Sequence, residues 1–321
     1  MFKDQILNLF PIEVRKLFTP LTDKQFTNLQ EIRLRCGKPV GLLYDGSEYG
    51  INSEGLCSYS ESVILSTKDI ETTIQYMSKY SLYALESDLK QGFITLEGGH
   101  RLGVSGQVVV ENGYVKSIVY ISSMNLRICH EVKGCSDSVM KFIVDTRCDR
   151  IAKTLIVSPP KCGKTTLIRD IARNLSNGFS TFSGCNVGIV DERSEIAACY
   201  RGIPQNDVGL RTDVMDKCPK AEGIRMLLRS MAPRVIIVDE IGRQEDYDAI
   251  QDALCAGVSI ISSVHANSIE ECMSKPVLNE LISQRYFERI IILSDNDGVG
   301  TINWICDTKD VNINLNRKGG Q

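Results

Sequence analysis

The residues with the clearest chemical pattern lie between 154 and 169. A short apolar run predicts a buried strand, a turn with two prolines follows it, and Lys164 begins a segment with helical spacing. A triphosphate needs converging backbone N–H groups, a helix N-terminus, a lysine for its outer phosphates and a hydroxyl for Mg²⁺. The predicted phosphate-binding residues are therefore Ser158, Pro159, Pro160, Lys161, Cys162, Gly163, Lys164, Thr165 and Thr166.

The turn departs from the usual phosphate-loop pattern at one position. That pattern is GxxxxGK followed by Ser or Thr, and Ser158 stands where its first glycine belongs. Gly163, Lys164 and Thr165 match the remainder, and Thr165 is the predicted Mg²⁺ ligand. The alternative is a chance Gly-Lys-Thr in a strand-to-helix turn, and residues elsewhere in the chain must decide between the two.

Two later apolar runs end in acids. One is followed by Asp239 and Glu240, the other by Asp191, Glu192 and, shortly after, Glu195. Ligands of an open α/β sheet bind beyond the carboxyl ends of its strands, so these acids are expected near the phosphates. We expect Asp239 to orient Mg²⁺ through water and Glu240 to activate the attacking water. Glu192 and Glu195 are the alternative bases, and helix capping is the alternative role for the Asp-Glu pair.

A further apolar run, at 258–264, ends in His265. Its position at a strand tip, after both acid sites, favours a catalytic or sensing role close to the phosphates. The alternative is a histidine that is packed for stability.

The chain is predicted to form two domains. Residues 1–135 are expected to be a smaller mixed α+β domain, with short amphipathic helices in 1–20, a helix over 68–86 and glycine-punctuated strands. Residues 136–321 are expected to be an α/β domain that carries all the motifs above.

Four features are expected within the second domain. A helix over about 137–147 leads to the phosphate-loop strand, and a fifth strand covers 289–294. Residues 200–220 show little periodicity and predict a long connection, either functional or a tolerated surface insertion. The tail after about 308 is expected to be loosely ordered.

Composition narrows the class of protein. The chain has 321 residues and a formal charge of -3, which gives no overall attraction to nucleic acid or anionic lipid. Its 12 cysteines occur in a large chain whose first residues have no apolar leader, so reduced thiols in a cytoplasmic protein are expected. No zinc-site spacing and no apolar stretch of about 20 residues occurs.

The order of the motifs resembles that of the secretion-ATPase branch of the RecA-like NTPases. In that branch a phosphate loop, an acidic box, a second acid strand and a histidine box follow one another. Here they read Gly-Lys-Thr-Thr at 163–166, Asp-Glu-Arg-Ser-Glu at 191–195, Val-Asp-Glu-Ile at 238–241 and Val-His-Ala-Asn-Ser at 264–268. The resemblance implies a RecA-like P-loop core in which the strand before His265 lies between the phosphate-loop strand and the second acid strand.

A closer resemblance, over nearly the whole chain, is to the stage III sporulation protein AA family. It rests on Glu-Ile-Arg-Leu-Arg at 31–35, Gly-Gly-His-Arg at 98–101, residues 127–134, residues 207–214 and Cys-Pro-Lys-Ala at 218–221. This resemblance implies an ATPase that uses ATP and Mg²⁺ and forms a homo-hexameric ring. It also implies a cytoplasmic protein at a membrane, serving channel proteins between mother cell and forespore during endospore formation.

Two other functions stay open at this point. A nucleotide-binding scaffold with little hydrolysis is motivated by Ser158. A RecA-like nucleic-acid motor is disfavoured by the acidic balance, and no nucleic-acid partner is expected.

Overall fold

The computed structural model describes residues 2–79, 92–294 and 298–310. The chain divides into two compact units, Met1–His130 with Ala198–Gln205, and Glu131–Ala197 with Asn206–Gln321. A short segment from the second half of the chain therefore belongs to the first unit. The division into domains at residues 135 and 136 stays a prediction.

The N-terminal unit is an antiparallel sheet with short helices. The helices are α1 (Phe2–Leu7), α2 (Ile12–Phe18), α3 (Asp23–Asn28) and α4 (Thr67–Met77), with a 3-10 turn at Tyr59–Glu61. The strands are β1 (Leu29–Arg35), β2 (Gly41–Tyr44), β3 (Ser47–Asn52), β4 (Gly55–Cys57), β5 (Phe93–Thr95), β6 (Arg101–Glu111) and β7 (Tyr114–Arg127). They pair in the order β4-β3-β2-β1-β7-β6-β5.

Local sequence explains these elements. In β1 the apolar residues Ile32 and Leu34 are buried, while the arginines between and after them are half-exposed, as expected for a strand with one face on a core. Helix α3 begins with a capping box in which the Thr22 and Gln25 side chains each accept the other's backbone N–H. The sequence predicts one or two short helices within residues 1–20, and the structure has two there, α1 and α2.

The second unit alternates strands and helices. It contains α5 (Asp137–Ile143), β8 (Val144–Asp145), β9 (Arg150–Ile151), β10 (Thr154–Ser158), α6 (Lys164–Asn177), β11 (Val187–Asp191), β12 (Thr212–Asp216), α7 (Lys220–Ser230), β13 (Val235–Glu240), α8 (Gln244–Cys255), β14 (Ser259–His265), α9 (Ile269–Ser274), α10 (Pro276–Ser283), β15 (Arg289–Ser294) and β16 (Thr301–Asp307). Seven strands form a sheet in the order β12-β11-β13-β14-β10-β15-β16, parallel except for β16.

The order of this sheet places the predicted motifs side by side. Strand β14 pairs with β10 on one side and β13 on the other, which is the arrangement that the resemblance implied. Ser158 pairs with His265, and Glu240 pairs with Ser263. The carboxyl ends of β10, β14 and β13 therefore lie side by side at the C-terminal end of the parallel strands.

The aliphatic runs become buried strands because helices connect the parallel strands. Every residue of β10 and β11 is buried. Two glycines bring α7 close to β11: a Cβ on Gly223 would lie 2.4 Å from Val190 Cγ1, and one on Gly188 would lie 2.8 Å from Leu227 Cδ1. Larger residues at these positions would push the helix away from the strand.

Several predicted boundaries are wrong. The helix expected over 137–147 ends at Ile143, where the chain enters the small β8–β9 pair. The connection expected over 200–220 contains β12, which pairs in parallel with β11 at the edge of the sheet. The predicted helix over 68–86 is described only as α4, since residues 80–91 lie outside the described parts, as does the tail from 311.

Strand β16 was not predicted. It pairs antiparallel with β15 and forms the other edge of the sheet. Within the described residues, no helix is long and apolar enough to cross a membrane.

Candidate nucleotide site

The predicted phosphate loop connects β10 to α6. Ser158, the last residue of β10, is fully buried and its hydroxyl donates to the Pro159 carbonyl. Its backbone is not in the left-handed region, so serine replaces the usual glycine here without strain. Lys161 and Gly163 do adopt that region, with φ of 65° and 79°.

The loop ends where helix α6 begins. Gly163 is the residue before the helix, Lys164 is its first residue and Thr165 its second. The first N–H groups of a helix have no partner within it and carry its positive dipole end, so the turn is suited to an anion. Cys162 is buried and its thiol donates to the Pro160 carbonyl, whereas Pro160 and Lys161 are exposed.

A second turn lies over the phosphate loop. A Cβ on Gly163 would lie 3.2 Å from Gly300 Cα and 3.3 Å from Val299 Cγ1. Gly163 is therefore required both by its backbone angle and by this close approach. This turn was not predicted, because it follows β15 far from any of the motifs.

The Lys164 ammonium group faces His265. Lys164 Nζ lies 3.2 Å from His265 Nε2, and His265 Nδ1 lies 3.4 Å from the Ser158 carbonyl oxygen. An ammonium group only donates and a carbonyl only accepts, so Nδ1 carries the proton of a neutral imidazole and Nε2 accepts from Lys164. Glu240 Oε2 lies 3.6 Å from the same Nε2.

The environment of Lys164 disfavours its charge. Its side chain is largely buried, and this burial lowers the pKa of Lys164, while the nearby Glu240 and Asp239 oppose the shift. A bound polyanion would stabilise the charged form of Lys164, because phosphate oxygens would replace the water that burial removes.

Asp191, the first residue of the acidic box at 191–195, binds backbone groups of its own turn and is not open to a ligand. Asp191 is fully buried and accepts backbone N–H bonds from Glu195 at 2.8 Å and from Ile196 and Ala197 at 2.9 Å. Burial raises the pKa of Asp191 to about 6, although the N–H bonds from Ala197 and Glu195 act in the opposite direction. Its carboxylate organises the turn that carries Glu192 and Glu195.

A buried arginine fixes the end of the same turn. Arg169, on α6, donates from Nε to the Ile196 carbonyl at 2.6 Å and from Nη2 to the Glu195 carbonyl at 2.8 Å. Ser194 Oγ donates to Asp216 Oδ1 at 2.7 Å. The phosphate-loop helix and strand β12 thus both position the acidic turn.

The remaining acids share a lysine that the sequence analysis did not select. Lys220 Nζ contacts Glu192 Oε2 and lies 3.2 Å from Asp239 Oδ1. Burial opposes the charge of Lys220, but its two acidic partners outweigh this and raise its pKa. Burial raises the pKa of Asp239, against the pull of Lys220.

The predicted residues thus fall into two adjacent groups. Lys164, His265 and Glu240 lie together, and Glu192 and Asp239 meet at Lys220. Asp239 and Glu240 connect the two groups because they are consecutive in the chain.

Thr165 and Thr166 lie half-buried in the first turn of α6, and the Thr166 carbonyl faces the Cys135 thiol at 3.7 Å. Among the described residues, no group of three or more His, Cys, Asp or Glu is placed to hold a metal ion by itself.

Residues 2–313 match the family model for sporulation stage III, protein AA. The chain belongs to this family. A relative in Bacillus subtilis (strain 168), stage III sporulation protein AA, is 41% identical over 317 residues, covering 99% of this chain and 98% of its own. The resemblance seen in the sequence is therefore confirmed.

Solved structures show which fold the chain adopts. The ATPase DotB of Yersinia pseudotuberculosis is similar with a TM-score of 0.58 and 14% identity, covering 99% of this chain and 82% of that one. The pilus retraction motor PilT, solved with ADP, gives a TM-score of 0.58 and 16% identity over 91% of this chain and 84% of its own. The predicted RecA-like α/β fold is confirmed.

The role of Asp191 predicts a large loss of stability on a small change. An Asp191→Asn variant keeps one acceptor oxygen and turns an NH₂ group toward at least one of the three N–H donors. A buried unpaired donor costs about 1–3 kcal/mol, so we expect the unfolding midpoint to fall by several degrees. Circular dichroism melts measure this, with Asp248→Asn, a change at an exposed residue of α8, as the control. Equal melting of the two variants would contradict the role.

Proposed function

We propose that this protein hydrolyses ATP and serves as the motor or assembly ATPase of a secretion-like channel complex in endospore formation. The observation that carries the proposal is the cluster at the phosphate loop. Lys164 Nζ lies 3.2 Å from His265 Nε2, and Glu240 Oε2 lies 3.6 Å from the same atom. A phosphate-binding lysine, a carboxylate and an imidazole that lie this close together are the parts that phosphoryl transfer to water requires.

The residues of the loop fit Mg²⁺ and ATP. Gly163 leaves no Cβ in the turn, and α6 presents its first N–H groups next to a buried lysine. Lys164 would hold the outer phosphates, while the Thr165 hydroxyl and, through water, Asp239 would hold Mg²⁺. When bound, Mg²⁺ would neutralise charge that develops on the phosphate oxygens.

Glu240 is the proposed general base. It is about one-third exposed at the end of β13, so water reaches it. The adjacent imidazole of His265, in its neutral form, accepts a hydrogen bond from Lys164. Glu240 would take the proton of the attacking water. Glu192 is tied to Lys220 and Glu195 lies in the turn held by Arg169, so both are better suited to positioning than to proton transfer.

Membership in the sporulation family supports a proposal for the setting of the activity. We propose a cytoplasmic protein, peripheral at a membrane, that assembles as a homo-hexamer and acts on membrane channel proteins of the sporulation complex. No nucleic-acid partner is proposed.

A second candidate is a nucleotide-binding scaffold with little turnover. Serine at 158 motivates it, but Ser158 adopts strand backbone and its side chain bonds within the loop. This substitution therefore leaves the shape of the turn intact, which favours the hydrolase.

Lys164→Ala tests the binding site. The ammonium group supplies a charge-assisted contact worth roughly 1.5–3 kcal/mol, so we expect nucleotide affinity to fall about 10- to 100-fold. Titration with a fluorescent ATP analogue measures the affinity, with Lys141→Ala on α5 as the control. Unchanged affinity in the first variant would remove the phosphate-loop assignment.

Glu240→Gln tests hydrolysis. The amide keeps the shape of the side chain but cannot accept a proton, so we expect ATP to bind normally while turnover falls about 10²- to 10⁴-fold. Phosphate release measures turnover, and Glu245→Gln in the first turn of α8 is the control. Negligible release by the unmodified protein would favour the scaffold instead, and normal release by Glu240→Gln would move the base to Glu192 or Glu195.

His265→Ala separates sensing from packing. The lysine and backbone of the loop supply most of the binding, so we expect ATP affinity to stay within a few-fold and turnover to fall at least about tenfold. A histidine that only stabilises the fold would instead lower the melting temperature and leave turnover normal. Affinity, turnover and melting are to be measured on one preparation.

A further inference from the structure

One buried ammonium group joins the acids at the tips of β11 and β13. Lys220 Nζ contacts Glu192 Oε2 and lies 3.2 Å from Asp239 Oδ1, and its side chain is only 10% exposed. We propose that Lys220 is the internal counter-ion of the nucleotide site, which holds Glu192 and Asp239 side by side before a metal ion is bound. Its effect on turnover rests on the proposed function, whereas its effect on the acids does not.

The position of Lys220 in its helix supports a role outside that helix. It is the first residue of α7, an 11-residue helix whose preceding residue, Pro219, gives no side-chain cap. A cation at a helix N-terminus opposes the helix dipole by about 0.3–1 kcal/mol, and lysine is rarely buried unless it is paired. The favourable contacts of the ammonium group are therefore those with the two acids.

The packing of α7 fixes where the ammonium group lies. Gly223, one turn into the helix, faces Val190 of β11 so closely that a Cβ would lie 2.4 Å from it. Val190 is followed by Asp191 and then Glu192 at the strand tip. The close approach of helix to strand thus brings the start of α7 over the acids.

Without the lysine, two partly buried carboxylates would face one another. Two carboxylates that contact the same ammonium group repel one another where water is scarce, and removal of one member of a buried ion pair leaves an uncompensated charge. Mg²⁺ is a hard cation that prefers carboxylate oxygens, so it is able to replace the missing positive charge. Whether Mg²⁺ takes the place of the ammonium group can therefore be tested without a nucleotide.

The test uses the full chain and Mg²⁺ alone. We expect Lys220→Met to lower the unfolding midpoint by roughly 5 °C, and millimolar Mg²⁺ to restore at least about half of this loss. Mg²⁺ should leave the unmodified protein and the control Lys141→Met unchanged, and Lys220→Arg should melt close to the unmodified protein. A loss that Mg²⁺ does not reduce, or no loss at all, would overturn the proposal.

A double variant keeps the proposal testable if Lys220→Met folds poorly. Glu192→Gln removes one of the two carboxylates, so Lys220→Met with Glu192→Gln should melt higher than Lys220→Met alone. If lysine only fills space, the second change should bring no recovery, and that result would also overturn the proposal.

Turnover provides the final measurement. Lys220→Met should bind the fluorescent ATP analogue within about threefold of the unmodified protein, because Lys164 is intact, and its turnover should fall at least about tenfold. Normal turnover in this variant would show that Lys220 does not position the site. If the unmodified protein itself has no turnover, the proposed hydrolysis fails, while the melting and Mg²⁺ results still decide the role of Lys220.

Discussion

The parallel alignment of β10, β14, β13 and β11 is the constraint on which the site depends. These strands are largely buried, and they carry titratable side chains only where they end. All four strands end on the same side of the sheet, so the polar groups that follow them are gathered there. Charged groups in a partly buried site are stable only if they are neutralised by one another or by a ligand.

Two lysines divide this work in different ways. Lys220 lies against two carboxylates, which hold it firmly, whereas Lys164 donates to the neutral imidazole of His265. A hydrogen bond to a neutral acceptor is weaker than one to an anion. We therefore propose Lys164, and not Lys220, as the cation that an incoming polyanion recruits.

The sequence predicted the tips of the buried strands well because aliphatic runs followed by acids or histidine are a strong signal. Strand β12 lacks that signal, since all five of its residues are half-exposed at the sheet edge. Lys220 lies in the Cys-Pro-Lys-Ala segment that supports the family resemblance, but its role was not predicted because a single lysine after a proline resembles any surface residue. The role of Asp191 was also hidden, because capping a turn and facing a ligand need the same residue type.

The segment Ala198–Gln205 has a practical consequence for dissecting the protein. It follows the acidic turn directly, yet it belongs to the N-terminal unit, where the Gln205 side chain accepts a bond from Gly98 N–H at 2.8 Å and Ala198 lies against Gly99. A fragment that begins at residue 136 would carry this segment without the glycine turn on which it rests. Ala198 and Cys199 are buried in the full chain and would lose this support, so co-expression of such a fragment with residues 1–135 would be the sounder design.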